Sequence, residues 1–154
     1  MVEIKRNKYL KELLESRHNG LIKVVTGLRR TGKSYLLFNI FKHELLSEGV
    51  KEDHIIEIAL DDFSNRDYRN PDKLYVYVKE KIADSDKYYI LIDEVQMLED
   101  FVDVLNGFLH IENADVYVTG SNAKFLSKDV VTEFRGRGTQ IHIAPLSFSE
   151  FMSV

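Results

Sequence analysis

Cysteine is absent from the 154-residue chain. That excludes disulfide frameworks, Cys-ligated zinc, iron–sulfur clusters and thiol catalysis together, and it fits a reducing compartment, so a cytoplasmic protein is expected. Long apolar stretches are missing too. The longest unbroken runs, Leu74 to Val78 and Tyr88 to Ile92, have five residues, against the about 20 that a membrane span needs, so no membrane association is expected. The first residues, MVEIKRNKYLKELL, lack the apolar core of a signal peptide. Only two prolines occur, Pro71 and Pro145, both outside the apolar strand cores. No repeat, low-complexity tract or Pro/Gly/Ser-rich linker divides the chain, and its length suits a single domain. The five histidines are scattered, none paired at metal-ligand spacing, and no chemistry is assigned to them.

What is present has the balance of a globular protein, 44% hydrophobic and 30% charged. The net charge of −4 is unevenly spread: residues 1–33 hold nine Lys/Arg against three Asp/Glu, and the rest hold twelve against twenty-two. A basic start on an acidic body argues against general nucleic-acid coating and leaves room for a local anion site near the N-terminus. Lys5, Lys8 and Lys11 read as a solvated helix face.

Periodicity alternates between strand and helix. Tyr9, Leu10, Leu13 and Leu14 predict a short helix, stopped by Asn19-Gly20. Strands are predicted at 21–26, 54–60, 88–92, 116–119 and 140–144. Helices are predicted at 33–48, with Gly49 as stop, at 73–83 behind an Asn70 cap, around 101–109, and briefly around 128–134. Such alternation with long connections means parallel strands and right-handed crossovers. The strands at 54–60 and 140–144 alternate apolar with polar and should be edges, whereas those at 21–26 and 88–92 are nearly continuous apolar runs and should be central.

The strongest signal is Gly27-Leu28-Arg29-Arg30-Thr31-Gly32-Lys33-Ser34, which fits G-x-x-x-x-G-K-[ST] between a predicted strand and a predicted helix. The glycines let backbone N–H groups turn inward around an anion, and the helix N-terminus adds partial positive charge. Lys33 can then reach the β- and γ-phosphates of a nucleotide, and the Ser34 hydroxyl can ligate Mg²⁺. Arg29 and Arg30 exceed what the motif needs; phosphate, a neighbouring subunit and solvent are all open as their partners.

Sixty positions after Lys33, the apolar run Tyr88 to Ile92 ends in Asp93-Glu94. This is the second half of a phosphate-loop site: Asp93 at the strand end to hold Mg²⁺, Glu94 to polarise the attacking water. Gln96 is either a contact to the γ-phosphate or a neighbour, or a surface side chain. Gly120-Ser121-Asn122 follows the strand at 116–119; if that strand lies between the other two, Ser121 or Asn122 faces the γ-phosphate, and otherwise this is an ordinary polar turn. Arg135-Gly136-Arg137-Gly138 precedes the last strand, either as a mobile arginine source of transition-state charge or as a solvated basic turn.

On LIKVVTGLRRTGKSYLL (21–37), YYILIDEVQ (88–96), TGSNAKFLS (119–127) and GRGTQIHIAPLSFSEF (136–151), the chain resembles the ATPase core of AAA-type ATPases widespread in bacteria and archaea, often followed by a DUF4143-type region. The resemblance implies a P-loop α/β/α three-layer sandwich with a parallel five-stranded sheet of order 5-1-4-3-2 in chain numbering. It also implies Asn122 as the sensing residue and Arg137 as an arginine finger reaching a neighbouring copy, hence a homo-oligomer. The family usually has Ser-Gly-Arg-Tyr at the finger; here Arg135 and Gly138 flank the position, and either arginine can be the one that acts. The family also continues past Pro-Leu-Ser-Phe into a helical lid and a further domain, so residues 1–154 are expected to be one ATPase core with a helical segment at 1–20, cut before its lid.

The expected function is an ATP-binding, Mg²⁺-dependent ATPase that drives a conformational change in an assembly, slow as this stretch alone. A small-molecule kinase is the alternative, disfavoured by Glu94, which a kinase does not need. A nucleotide-binding module with little turnover is the third reading. Nothing in the sequence reads bases, so nucleic acid is a partner at the level of the family only.

Overall fold

The computed structural model describes residues 2–27, 32–120 and 138–142, with 2–7 and His142 described by backbone alone. Helix α1 runs Val2–Glu15, longer at its start than the apolar pattern from Tyr9 suggested. Strand β1 is Ile22–Thr26. A continuous helical rod over 33–47 follows, built of α2 (Lys33–Tyr35), a π-helical stretch (Leu36–Phe41) and α3 (Lys42–Ser47). Strand β2 is Ile55–Ala59, followed by a 3₁₀ segment at Phe63–Arg69 that periodicity did not foresee. Helix α4 (Pro71–Lys81), strand β3 (Tyr88–Asp93), helix α5 (Phe101–Leu109), strand β4 (Ala114–Gly120), strand β5 (Gly138–His142) and short 3₁₀ turns at Glu52–His54 and Val95–Met97 complete the described elements. The helix expected around 128–134 lies outside the described residues.

All five strands are parallel, in the order β2-β3-β4-β1-β5. Read from the other edge this is 5-1-4-3-2, with β2 and β5 at the edges and β4 between β1 and β3, as expected. Local chemistry accounts for the elements. Asn70 caps α4 by accepting a hydrogen bond from Lys73 N at 3.1 Å, with Pro71 in the first turn, a cap worth about 1 kcal/mol. The rod departs from the expected plain α-helix at 33–48. Its buried Leu36, Leu37 and Phe41 include a five-residue step from 36 to 41, which i→i+5 bonding keeps on one side.

Register divides the side chains between two layers. Ile22 and Val24 of β1, Ile90 and Ile92 of β3, and Val116 and Val118 of β4 face α4 and α5, packing on Leu74, Val78, Leu105 and Phe108. The alternate positions, Val25, Tyr89, Leu91 and Tyr117, face α1 and the rod, packing on Leu13, Leu36, Leu37 and Phe41. By the same parity Asp93 and Thr119 belong to the second face, under the rod that begins at Lys33. The sheet pairs Thr26 with Gly120, and Ala59 with Asp93, so the carboxyl ends of β1 to β4 finish level with one another.

Two polar clusters at the amino ends of the strands were not anticipated. Lys23, inside a strand read as nearly all apolar, is fully buried and forms an ion pair with Asp115. Tyr117 Oη donates to Asp115 Oδ2 at 2.7 Å, His18 N donates to the same oxygen at 3.0 Å, and Lys23 Nζ donates to Asn19 Oδ1 at 3.2 Å. At the edge, the His54 ring stacks on Tyr88 at 4.2 Å, with Nδ1 2.7 Å from Asp53 Oδ1 and Nε2 3.0 Å from Asp84 Oδ2. His54, Asp84 and Asp86 bring ligand-type atoms within 4.8 Å of one another, a grouping that scanning for adjacent histidines misses. Among the described residues no helix is long and apolar enough to cross a membrane.

Candidate functional site

The carboxyl ends of β1, β3 and β4 place the two sequence motifs together. β1 ends at Thr26 and is followed by Gly27 (φ 154°); Gly32 (φ 93°) directly precedes α2. Both backbone angles lie where a Cβ is poorly tolerated, which is the physical reason for glycine at these positions of the loop. Gly32 stands at the N-terminal position of α2, and Leu36 N donates to its carbonyl at 2.8 Å. Lys33 is buried, only 5% exposed, at the first position of α2, while Ser34 opens to solvent. Leu28, Arg29, Arg30 and Thr31 lie outside the described residues.

Ser34 Oγ donates to Asp93 Oδ1 at 2.8 Å. Residues 59 positions apart thereby meet, because the rod starts above the face on which Asp93 projects. Thr119 of β4 donates its hydroxyl to the same Asp93 oxygen at 2.5 Å and accepts from Glu94 N at 2.9 Å. Thr119 was not singled out in the sequence; its signal was its place at the end of the strand between the two motif-bearing ones. Gln140 of β5 donates to Thr26 Oγ1 at 2.8 Å, tying the edge strand to the start of the phosphate loop.

Asp93 is 5% exposed, and burial pushes its carboxyl above the ordinary range. The Thr119 and Ser34 hydroxyls oppose that shift, and the like charges of Glu94 and Asp61 add to it. Glu94, 8% exposed, stands at φ 58°, ψ 54°. A left-handed conformation at a non-glycine residue is costly, and strain of this kind collects where a side chain must be aimed. The next turn, Val95–Met97, carries Gln96, whose Nε2 donates to Glu94 Oε2 at 3.1 Å. Gln96 Oε1 and Asn106 Oδ1 are the buried side-chain atoms without a hydrogen-bond partner among the described residues.

The set of hard oxygen donors, one hydroxyl and one buried carboxylate sharing a hydrogen bond, suits Mg²⁺, which is held by one or two protein oxygens while keeping several waters. Ser121, Asn122, Arg135 and Arg137 lie outside the described residues.

Residues 19–152 match the AAA domain family. The chain is 35% identical over 150 residues to an uncharacterized protein of Haemophilus influenzae, a match covering 97% of this chain and 37% of that protein. The chain therefore spans little more than a third of that relative's length. Among solved structures, that of C. elegans PCH-2 is similar with a TM-score of 0.60 at 16% identity, covering 94% of this chain and 41% of the other. That of Drosophila ORC bound to DNA is similar with a TM-score of 0.59 at 12% identity, covering 95% of each chain. At these identities the structural likeness is one of fold.

Proposed function

The chain belongs to the AAA domain family, and on that premise we propose that it binds ATP at Gly27 to Ser34 and hydrolyses it to ADP and phosphate. The observation that carries this reading is the meeting of Ser34 and Asp93 at 2.8 Å, which joins the phosphate loop to the acidic strand end in one place. Backbone N–H groups of the loop and the first turn of α2 cradle the phosphates, and Lys33 draws charge from the β- and γ-oxygens. Ser34 and Asp93 would hold Mg²⁺, which would supply positive charge to the phosphate oxygens. Glu94 takes a proton from the attacking water. The new P–O bond forms as the bond between the γ-phosphorus and the bridging oxygen breaks, and ADP leaves with that oxygen's electron pair.

Asn122 is proposed to orient the water from the end of β4, and Arg137 of a neighbouring copy to meet the γ-phosphate. An arginine supplied in this way is worth about a thousand- to a hundred-thousand-fold in rate, so turnover by separate copies should be slow. Specific activity that rises with protein concentration is its signature.

The test separates binding from chemistry. Mg-ATP at 100 times its dissociation constant stabilises by about 2.7 kcal/mol, which should raise the melting temperature by roughly 5–10 °C. Lys33→Ala should abolish that shift, and an unchanged shift would place the phosphate site elsewhere. Glu94→Gln should keep the shift and lose about a hundred- to ten-thousand-fold in turnover. A wild-type chain that gives the shift with no release of phosphate would leave a nucleotide-binding module.

A further inference from the structure

Gln96 stands outside the proposed machinery, yet its side chain is turned back into it. The left-handed backbone at Glu94 reverses the chain, and the 3₁₀ turn Val95–Met97 is closed by Met97 N donating to Glu94 O at 3.1 Å. That fold-back brings Gln96 Nε2 to 3.1 Å from Glu94 Oε2. Only the NH₂ end of an amide can meet a carboxylate, so the chemistry decides which end of the side chain is which. The carbonyl end, Oε1, is then buried with no partner among the described residues. A glutamine kept for solubility would turn its carbonyl to water. This one gives up an acceptor's hydrogen bond so that its donor can grip the acidic side chain, a cost that needs a return elsewhere.

We infer that Gln96 is a positioning residue for Glu94: its amide holds the Oε2 oxygen and narrows the orientations that the carboxylate takes toward the attacking water. The inference rests on the proposed role of Glu94 as the base. A carboxylate on two freely turning bonds samples orientations that miss the water, and general-base catalysis depends on hydrogen-bond reach first. Here the backbone is anchored by Glu94 N donating to Thr119 Oγ1 at 2.9 Å, and the far end of the side chain by Gln96. Thr119 also donates to Asp93, so the metal-holding and base residues share one anchor while the base alone has the second.

The experiment measures single-turnover Mg-ATP hydrolysis with enzyme in excess, together with ATP affinity, for Gln96→Glu and Gln96→Leu. Gln96→Glu keeps the shape and removes the donor; Gln96→Leu removes both polar ends and guards against a reading based on charge alone. Both should lose about 10- to 100-fold in turnover, the scale of one hydrogen bond to a charged group, with ATP affinity and the Mg-ATP melting shift unchanged. Gln96→Asn, which keeps a shorter amide donor, should recover part of the loss. In a Glu94→Gln background the Gln96 variants should cost nothing further, since the group they position is gone. Undiminished or raised turnover in Gln96→Glu and Gln96→Leu would overturn the inference, as would a full additional loss in the Glu94→Gln background. If Glu94→Gln itself turns over like the wild type, the assignment of the base has failed instead, and the two failures are told apart by that single measurement.

Discussion

At the amino ends of the strands, Lys23 and Asp115 are buried together, and nearly every polar atom of the pair is answered by the chain: Asn19, Tyr117 and the backbone of His18 complete their hydrogen bonding. At the carboxyl ends, 70 residues after Lys23, Asp93 is buried just as deeply. It receives two hydroxyls and stands beside the like charges of Glu94 and Asp61. One end matches charge with charge; the other concentrates negative charge and strained backbone. The first arrangement ties β1 to β4, because removing either partner would leave the other buried without its counter-charge. The second leaves a buried carboxylate beside like charges, an arrangement that costs stability in its ionised form.

Breaking the amino-end pair should have the largest effect on stability. Asp115→Ala removes the counter-charge of the fully buried Lys23, whose ammonium burial already disfavours, and strands the Tyr117 hydroxyl, so it should cost about 3–5 kcal/mol and lower the melting temperature by roughly 6–20 °C. The fraction that remains folded should still show the full Mg-ATP shift. A melting temperature within a degree or two of wild type would mean that the pair adds nothing, and the contrast between the two ends would disappear.

The same kind of change at the carboxyl end should act in the opposite direction. Asp93→Asn keeps an acceptor for Ser34 and Thr119 but removes the buried charge. Because burial raises the folded-state pKa of Asp93 above its unfolded value, the wild type loses stability as the pH rises through the unfolded value toward the folded one. The variant escapes that loss. Without nucleotide and with chelator present, Asp93→Asn should therefore be more stable at neutral pH, by about 0.5–2 kcal/mol, and the advantage should vanish in acid. Mg²⁺ dependence of ATP binding should go with it. Denaturant melts across pH 3–8 check the sign, and a destabilised variant would show that Asp93 is structural.

The smallest effect is expected at His54. Burial disfavours its charged ring, yet hydrogen bonds to Asp53 and Asp84 win and raise its pKa above the ordinary value. Its contribution to stability is complete below the unfolded value near 6.5 and is lost as the pH rises through the raised folded value. With carboxylates this open to solvent the difference should be under about 1 kcal/mol. His54→Gln should flatten the fall in unfolding free energy between pH 6 and pH 9; an equal fall in both proteins would remove the ion pair from the account.

Much of the carboxyl end was legible because its signals are local. Glycine at 27 and 32, Lys33-Ser34 opening a helix and Asp93-Glu94 closing an apolar strand are each read within a few residues, and the backbone angles at Gly27 and Gly32 show why those positions resist substitution. The edge strands were legible from alternation, with Glu57 of β2 reaching Lys42 of the rod instead of the core. Thr119 was not legible: a threonine ending an apolar strand has no signal of its own until β4 is set beside β3. Nor was the Gln96 grip on Glu94, which depends on a left-handed turn that nothing in Asp-Glu-Val-Gln announces.

The amino end escaped the sequence for the same reason in stronger form. Lys23 and Asp115 are 92 residues apart, and His54 and Asp84 are 30 apart. In a one-dimensional reading Lys23 only interrupts an apolar run, and His54 is one of five scattered histidines. The sequence by itself determined the alternation of strands and helices, the glycines at 27 and 32 and the acidic strand end, because propensity, capping and motif spacing act over one or two turns of chain. Only the tertiary structure decided which distant polar groups share a buried place. That depends on strand order and register: a one-residue slip of β4 would turn Asp115 and Thr119 to the opposite face, parting the one from Lys23 and the other from Asp93.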